Sequence, residues 1–260
     1  MDPSRARLER HGLRPKKAWG QNFLVDPRAR ERIADAAKLG PDDVVVEIGA
    51  GLGSLTELLA ARAGRVIAVE RDPELAAVLR QELTTVDLRE QDAQTFDYAA
   101  AAAAAGRPLV VVGNLPYQIT TPLLFGILGA SSGGRVIRRA VLMVQKEVAD
   151  RIRAAPGSKV YGRLSVMVQQ LADVELLFHV SPGAFLPQPQ VTSSVFALIP
   201  RAVPRAQVGD PVLFERVVRL AFGGRRKMLR RSLAAGFSDE DVTRALTGAG
   251  VEGTRRAEEL

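Results

Sequence analysis

Over its first 200 residues the chain carries its apolar positions in short continuous runs separated by amphipathic stretches. Residues 44–48 (VVVEI) are β-branched, apolar and halted by glycine, the pattern of a parallel strand buried on both faces. Runs at 65–70 (RVIAVE), 86–91 (VDLREQ), 108–113 (PLVVVG) and 140–144 (AVLMV) repeat it. Helical patterns fall between them. Asp26-Pro27 offers an N-cap and a proline at the first helical position, predicting a helix to about Leu39. A second is expected over 54–62, closed by Gly64, and Asp72-Pro73 opens a third over 74–83, with Thr121-Pro122 opening another. The seven alanines at 99–105 read as filler in a surface helix, and 131–134 (SSGG) as a flexible loop.

Two further strands, 174–180 and 195–199, are joined through a proline-rich loop at 181–190. Beyond Arg201 the strand pattern stops, and 211–222, 226–235 and 238–247 are amphipathic helical stretches. Strands alternating with helices imply a mostly parallel sheet covered on both faces. The expected architecture is α/β over residues 1–203, followed by a small all-α domain over 204–260. No internal repeat is visible.

Composition narrows the function without naming it. With 47% apolar and 25% charged residues the chain has the balance of an ordinary soluble globular protein. There is no Cys, hence no disulfide framework, thiolate metal site or Cys nucleophile. The first residues hold no signal-peptide core, and no stretch approaches the ~18 apolar residues of a membrane span. A cytoplasmic protein without membrane contact is expected. His11 and His179 stand at no metal-ligand spacing, so no metal is expected; His179 reads as structural, and Trp19 as packing. The net charge of +7 sits at the ends: residues 1–24 hold 6 Lys/Arg against 2 Asp/Glu, and residues 201–260 hold 12 against 8. Each end is thus +4 around a near-neutral middle. Charge alone leaves open whether this serves a polyanionic partner or solubility.

Candidate chemistry gathers where strands end. Gly49, Gly51 and Gly53, in Glu47-Ile48-Gly49-Ala50-Gly51-Leu52-Gly53, follow the first buried strand, where glycine permits a sharp turn and a close ligand approach. The G-x-G-x-G spacing differs from the dinucleotide fingerprint G-x-G-x-x-G. Glu70 ends the next strand 17 residues beyond Gly53, placed either as a solvated strand-end acid or as an acceptor for two ribose hydroxyls. Asp92, after the following strand, is placed to reach an adenine amino group. Together they resemble the S-adenosylmethionine-dependent methyltransferases, whose first motif is commonly E/D-x-G-x-G-x-G. Glu47 suits a cationic ligand better than a phosphate.

Asn114-Leu115-Pro116-Tyr117 follows the fourth run directly. An exocyclic amine is a weak nucleophile because its lone pair is delocalised into the ring. An Asn oxygen and a backbone carbonyl that accept its two N–H bonds direct the lone pair outward and stabilise the developing charge. Proline fixes the turn, and the tyrosine ring offers a stacking face for a flipped-out base. The tetrapeptide resembles the [N/D]-[P/I/L]-[P/A]-[Y/F/W] motif of methyltransferases acting on exocyclic amines. Leu115 at its second position argues against DNA adenine enzymes, and the lack of Cys against cytosine-C5 enzymes.

The resemblance narrows further. Gln21-Asn22-Phe23-Leu24, Asn114–Tyr117, the loop around Phe185 (PGAFLPQP) and 222–233 (FGGRRKMLRRSL) are similar, in that order, to motifs of the small-subunit rRNA adenine dimethyltransferases. The likeness spans about residues 14–259. It implies a Rossmann-like methyltransferase fold and S-adenosyl-L-methionine as cofactor. The implied substrate is two adjacent adenosines near the 3′ end of 16S rRNA, within the 30S subunit or its precursor, each dimethylated on N6 by direct in-line transfer. Gln21, Asn22, Leu24, Glu47, Gly49, Gly51, Gly53, Glu70, Asp92 and Asn114 fall on cofactor positions. Tyr117 and Phe185 fall on the aromatics flanking the target base, beside Asn114, Leu115 and Pro116. Arg14, Lys16, Lys17, Arg225, Arg226, Lys227, Arg230 and Arg231 are the expected RNA contacts, with Lys227/Arg231 and Arg226/Arg230 each one helical turn apart. Arg231 departs from the family, which usually has a small polar residue there. A monomer is expected. The rivals are a 23S rRNA adenine dimethyltransferase, which shares most of these motifs, and a mainly non-catalytic ribosome assembly factor.

Overall fold

The computed structural model describes residues 3–16, 19–131, 135–224 and 227–260, the side chain of Tyr117 excepted. In chain order its strands are β1 (Phe23–Leu24), β2 (Val44–Ile48), β3 (Arg65–Glu70), β4 (Asp87–Glu90), β5 (Leu109–Asn114), β6 (Ile137–Gln145), β7 (Ala172–Val180), β8 (Phe185–Leu186) and β9 (Ser193–Pro200). Its helices are α1 (Pro3–Arg10), α2 (Pro27–Ala36), α3 (Ser54–Ala60), α4 (Pro73–Glu82), α5 (Tyr98–Ala105), α6 (Thr120–Ala130), α7 (Lys146–Ile152), α8 (Arg163–Leu171), α9 (Pro211–Ala221), α10 (Leu229–Leu233) and α11 (Asp239–Gly248).

Seven strands form one sheet in the order β4-β3-β2-β5-β6-β9-β7, parallel from β4 through β6 and antiparallel at β9 and β7. The chain moves outward from β2 in both directions, so β2 and β5 flank the switch point where open α/β sheets bind ligands. Alternation sorts the core. Val45, Val110, Val112, Val141 and Met143 share a cluster with Ala29, Ile33 and Ala34 of α2 and Leu59 of α3. Helices α4, α5 and α6 pack on β3, β5 and β6, respectively. Asp26, Asp72 and Asp210 each cap a helix whose first residue is proline, accepting from Arg28, Glu74 and Val212 N–H groups. Thr121-Pro122 does not act this way. Helix α6 starts at Thr120 behind Ile119, with no side-chain cap, and Pro122 is tolerated because first-turn N–H groups lack helical partners.

The chain divides into two compact units: residues up to 149 with 172–203, and residues 150–171 with 204–260. The stretch 150–171, expected within the first domain, therefore belongs with the C-terminal helices. It carries α8, which packs on α9 and is tied there by an Arg163–Glu215 ion pair of 2.7 Å. Tyr161 meets Phe222 edge to face at 5.8 Å. Leu229, Leu233, Val242 and Leu246 form that unit's core. Helices α1, α7 and α8 were not expected from the pattern, and α10 is shorter than its predicted span.

Candidate active site

The carboxyl ends of β2, β3 and β5 open on a cleft of about 1140 Å³, counting its solvent-open mouth. The glycine loop after β2 forms one wall. Gly49, Gly51 and Gly53 take φ values of 70°, 58° and 79°, in the left-handed region where a side chain is strained. A Cβ on Gly51 would also stand 3.3 Å from the Phe23 ring. Gly49 N–H donates to the Val69 carbonyl at 2.8 Å, fastening the turn to β3.

Two buried acids stand behind this loop in different settings. Glu70 accepts from the Gly51 amide and the Asp72 amide, each at 2.9 Å. Burial pushes its carboxyl upward, and these backbone donors work against the push. Glu70 thus orients the glycine loop. Glu47 is 2% exposed, and its Oε2 has no hydrogen-bond partner among the described residues. Burial raises its pKa to about 8; the Thr56 hydroxyl pulls the other way and the Glu70 carboxylate adds to the rise. At neutral pH Glu47 is therefore largely protonated, not the anion that its place in the motif suggests. Asp92 caps the turn after β4 through the Gln94 amide at 2.9 Å and lines the cleft.

The acceptor motif occupies the opposite wall. The Leu115 amide donates to the Met143 carbonyl at 3.0 Å, which anchors the turn on β6. Asn114 Nδ2 donates to the Asn22 carbonyl at 3.1 Å, leaving Oδ1 without a partner among the described residues. The Pro116 carbonyl is occupied by Ile119 N–H and the Thr120 hydroxyl, both at 3.1 Å. The Pro116 carbonyl is therefore not free to take a further donor. Asn114, Leu115 and Pro116 line the same cleft as Gly49, Gly51, Glu47, Glu70 and Asp92.

Several expected residues do other work. Gln21 lines the cleft, yet its amide donates to Asp72 at 2.7 Å and its oxygen accepts from the Lys16 amide at 2.8 Å. Lys16, expected on phosphate, pairs with Asp72 at 2.8 Å and Glu74 at 2.9 Å. Asp72, 1% exposed, is pushed up by burial, but the bonds from Lys16 and Gln21 outweigh this and hold its carboxyl below the usual value. Asn22 and Leu24 line the cleft. Phe185 does not. It is 2% exposed in the core cluster that holds Leu24 and Val180, because β8 pairs it with Leu24 of β1 and turns it inward. No ring face of Phe185 is offered to a base in this arrangement.

Among the RNA positions, Arg14, Lys227, Arg230 and Arg231 are exposed with no ion-pair partner among the described residues. Helix α10 starts only at Leu229, so Lys227 lies outside it and does not share a helical stripe with Arg231. Lys17, Arg225, Arg226 and the Tyr117 side chain fall outside the described residues. Sequence reasoning missed Ser4, Arg7 and the pairing role of Asp72. Only Asp72 carried a signal, and it was that of a cap.

A seven-stranded sheet with this switch-point cleft, a glycine turn and acids at successive strand ends defines a Rossmann-like methyltransferase. Comparison with known proteins makes the assignment specific: the chain belongs to the ribosomal RNA adenine dimethylase family, whose model matches residues 12–260. It is 46% identical to the ribosomal RNA small subunit methyltransferase A of Anaeromyxobacter dehalogenans (strain 2CP-C), over 98% of this chain and 93% of that one. It is 43% identical to the protein of the same name from Myxococcus xanthus, over 100% of this chain and 92% of that one. Among solved structures it is similar to a dimethyladenosine transferase from Plasmodium falciparum, with a TM-score of 0.75 and 26% identity over 92% of each chain. It also resembles the 23S rRNA methyltransferase ErmE, with a TM-score of 0.67 and 32% identity over 92% of this chain and 96% of that one. Among the described residues no group of His, Asp and Glu side chains could hold a metal, and no helix is long and apolar enough to cross a membrane.

Proposed function

We propose that this protein dimethylates the N6 amino groups of two adjacent adenosines near the 3′ end of 16S rRNA, within the small ribosomal subunit or its precursor. S-Adenosyl-L-methionine is the methyl donor in this reading. The observation that carries it is Asn114 at the end of β5, its Oδ1 without a partner among the described residues, in the cleft that also holds the glycine loop and Glu70. The relatives at 46% and 43% identity are named for the small subunit.

The cleft's own chemistry fits the donor. Gly49 and Gly51 line the cleft with no side chain of their own, and Glu47 Oε2 is a buried carboxyl oxygen with no hydrogen-bond partner among the described residues. Glu70 is sited for ribose hydroxyls and Asp92 for an adenine amino group. When bound, the cofactor supplies a methyl group activated on a sulfonium. The chain supplies position. Asn114 Oδ1 and the Leu115 carbonyl accept the two N–H bonds of the target amine, so its lone pair points to the remaining direction and its developing positive charge is met by two dipoles. Lys227, Arg230, Arg231 and Arg14 contact phosphates, the sequence-independent part of RNA binding.

The test is transfer of labelled methyl groups to unmethylated 30S subunits, to 23S rRNA and to DNA, with nucleoside analysis. N6,N6-dimethyladenosine from 30S alone supports the proposal. The likeness to ErmE at 32% identity keeps the 23S reading as the specific rival, and label in 23S rRNA would establish it instead. Loss of all label in Asn114→Ala is expected.

A further inference from the structure

Helix α1 is polar nearly throughout, yet Ser4, Arg7 and Leu8 are buried. The family match begins at residue 12, so α1 stands ahead of it. Arg7 Nη1 donates to the Leu52 carbonyl, inside the glycine loop, at 2.7 Å. Its guanidinium also pairs with Glu57 of α3 and, at 3.6 Å, with Glu82 of α4. Arg10 reaches the same Glu82, as does His11 at 3.2 Å. The Ser4 hydroxyl donates to Ser54 Oγ at 2.9 Å and lines the cleft. Leu8 packs with Phe23, Leu52 and Leu75.

A buried guanidinium is costly unless its donors are satisfied, and here they are satisfied by a loop carbonyl and carboxylates on two helices. Such a fork fixes the loop against both helices. The planar group holds Leu52, the residue after Gly51, where the glycine turn lines the cleft. Ser4 closes the cleft at that same end.

We propose that α1 is the outer wall of the cofactor pocket at its glycine-loop end, with Arg7 and Ser4 acting as positioning residues for binding the sulfonium nucleoside. The inference rests on the reading of the cleft as an S-adenosylmethionine site. It assigns to α1 an effect on cofactor affinity and none on the transfer step or on RNA.

Titration of the full chain with S-adenosylhomocysteine tests this, alongside turnover at saturating cofactor. Arg7→Ala is expected to weaken binding tenfold or more. Arg7→Lys, which keeps the charge but not the fork, is expected to lose about threefold, and Ser4→Ala a similar amount. Glu9→Ala, on the exposed side of α1, is expected to bind as wild type does. Turnover at saturating cofactor should stay within twofold in every variant. If Arg7→Ala does not fold, Arg7→Lys and Ser4→Ala decide. Wild-type affinity in the folded Arg7 and Ser4 variants overturns the proposal, as does a fall in saturated turnover without a fall in affinity. Absence of binding by the wild-type chain would overturn the cofactor reading together with this one.

Discussion

The two ends of the chain carry the same net charge, +4 over residues 1–24 and +4 over residues 201–260, and use it differently. Near the N-terminus Arg7, Arg10 and Lys16 are engaged by Glu57, Glu82, Asp72 and Glu74, all within the first unit. In the C-terminal unit Lys227, Arg230 and Arg231 stand exposed, with no carboxylate in ion-pair range among the described residues. Charge counted along a sequence is therefore not charge available to a partner. What separates the two ends is whether the fold brings acids to the cations, and only Arg14 among the described N-terminal candidates stays unpaired.

Removing the unpaired cations should have the largest effect. The triple variant Lys227→Ala, Arg230→Ala, Arg231→Ala is expected to raise the KM for rRNA by about 30- to 100-fold and flatten the salt dependence of binding by about two to three phosphates. Its affinity for S-adenosylhomocysteine should not change. A change in that affinity would erase the contrast between the ends.

Next in size is an acid that no described cation from either end pairs with. Asp72, met by Lys16, is held below its usual pKa, while Glu47 is pushed up to about 8. The folded chain therefore keeps a proton on Glu47 that the unfolded chain releases above its ordinary value of 4.5, so stability falls as pH rises through that window and levels above about 8. Glu47→Gln removes the penalty, of order a few kcal/mol. Its unfolding midpoint should match wild type near pH 5 and exceed it by several degrees near pH 8.5, measured by thermal melts across pH. Equal midpoints at the higher pH would mean that Glu47 ionises freely.

Smaller effects separate the N-terminal residues themselves. Lys16→Ala should weaken cofactor binding about threefold, through Asp72 and Gln21, and leave the KM for rRNA within twofold. Arg14→Ala should do the reverse, with rRNA affinity reduced two- to threefold and the salt slope shallower by about one phosphate or less. Paired titrations of cofactor and RNA check both, and a Lys16 variant that loses RNA affinity instead would return that residue to the phosphate surface.

Much of the sheet was legible because burial on both faces forces continuous apolar runs such as 44–48 and 108–113. The glycine turn was legible because positive φ demands glycine. Helix α1 was not, since the face it buries sets Ser4 and Arg7 beside a single apolar residue, Leu8, and periodicity of apolar residues is blind to a mostly polar face satisfied by distant partners. Helix α8 carries a readable stripe in Leu164, Val168 and Leu171, but nothing local says that it packs with a helix beginning at residue 211. The burial of Phe185 was not legible because a motif fixes order along the chain, not which way a strand turns its ring.

The split second unit also sets an order of events during synthesis. Helix α8 ends at residue 171 and its partner α9 begins at 211, so about 40 residues must be translated between them. At roughly 5–20 residues per second the ribosome takes about two to eight seconds over that stretch. Throughout that interval the nascent α8 lacks the helix it will pack on, while β7 and β9, which complete the sheet of the other unit, are being made between them.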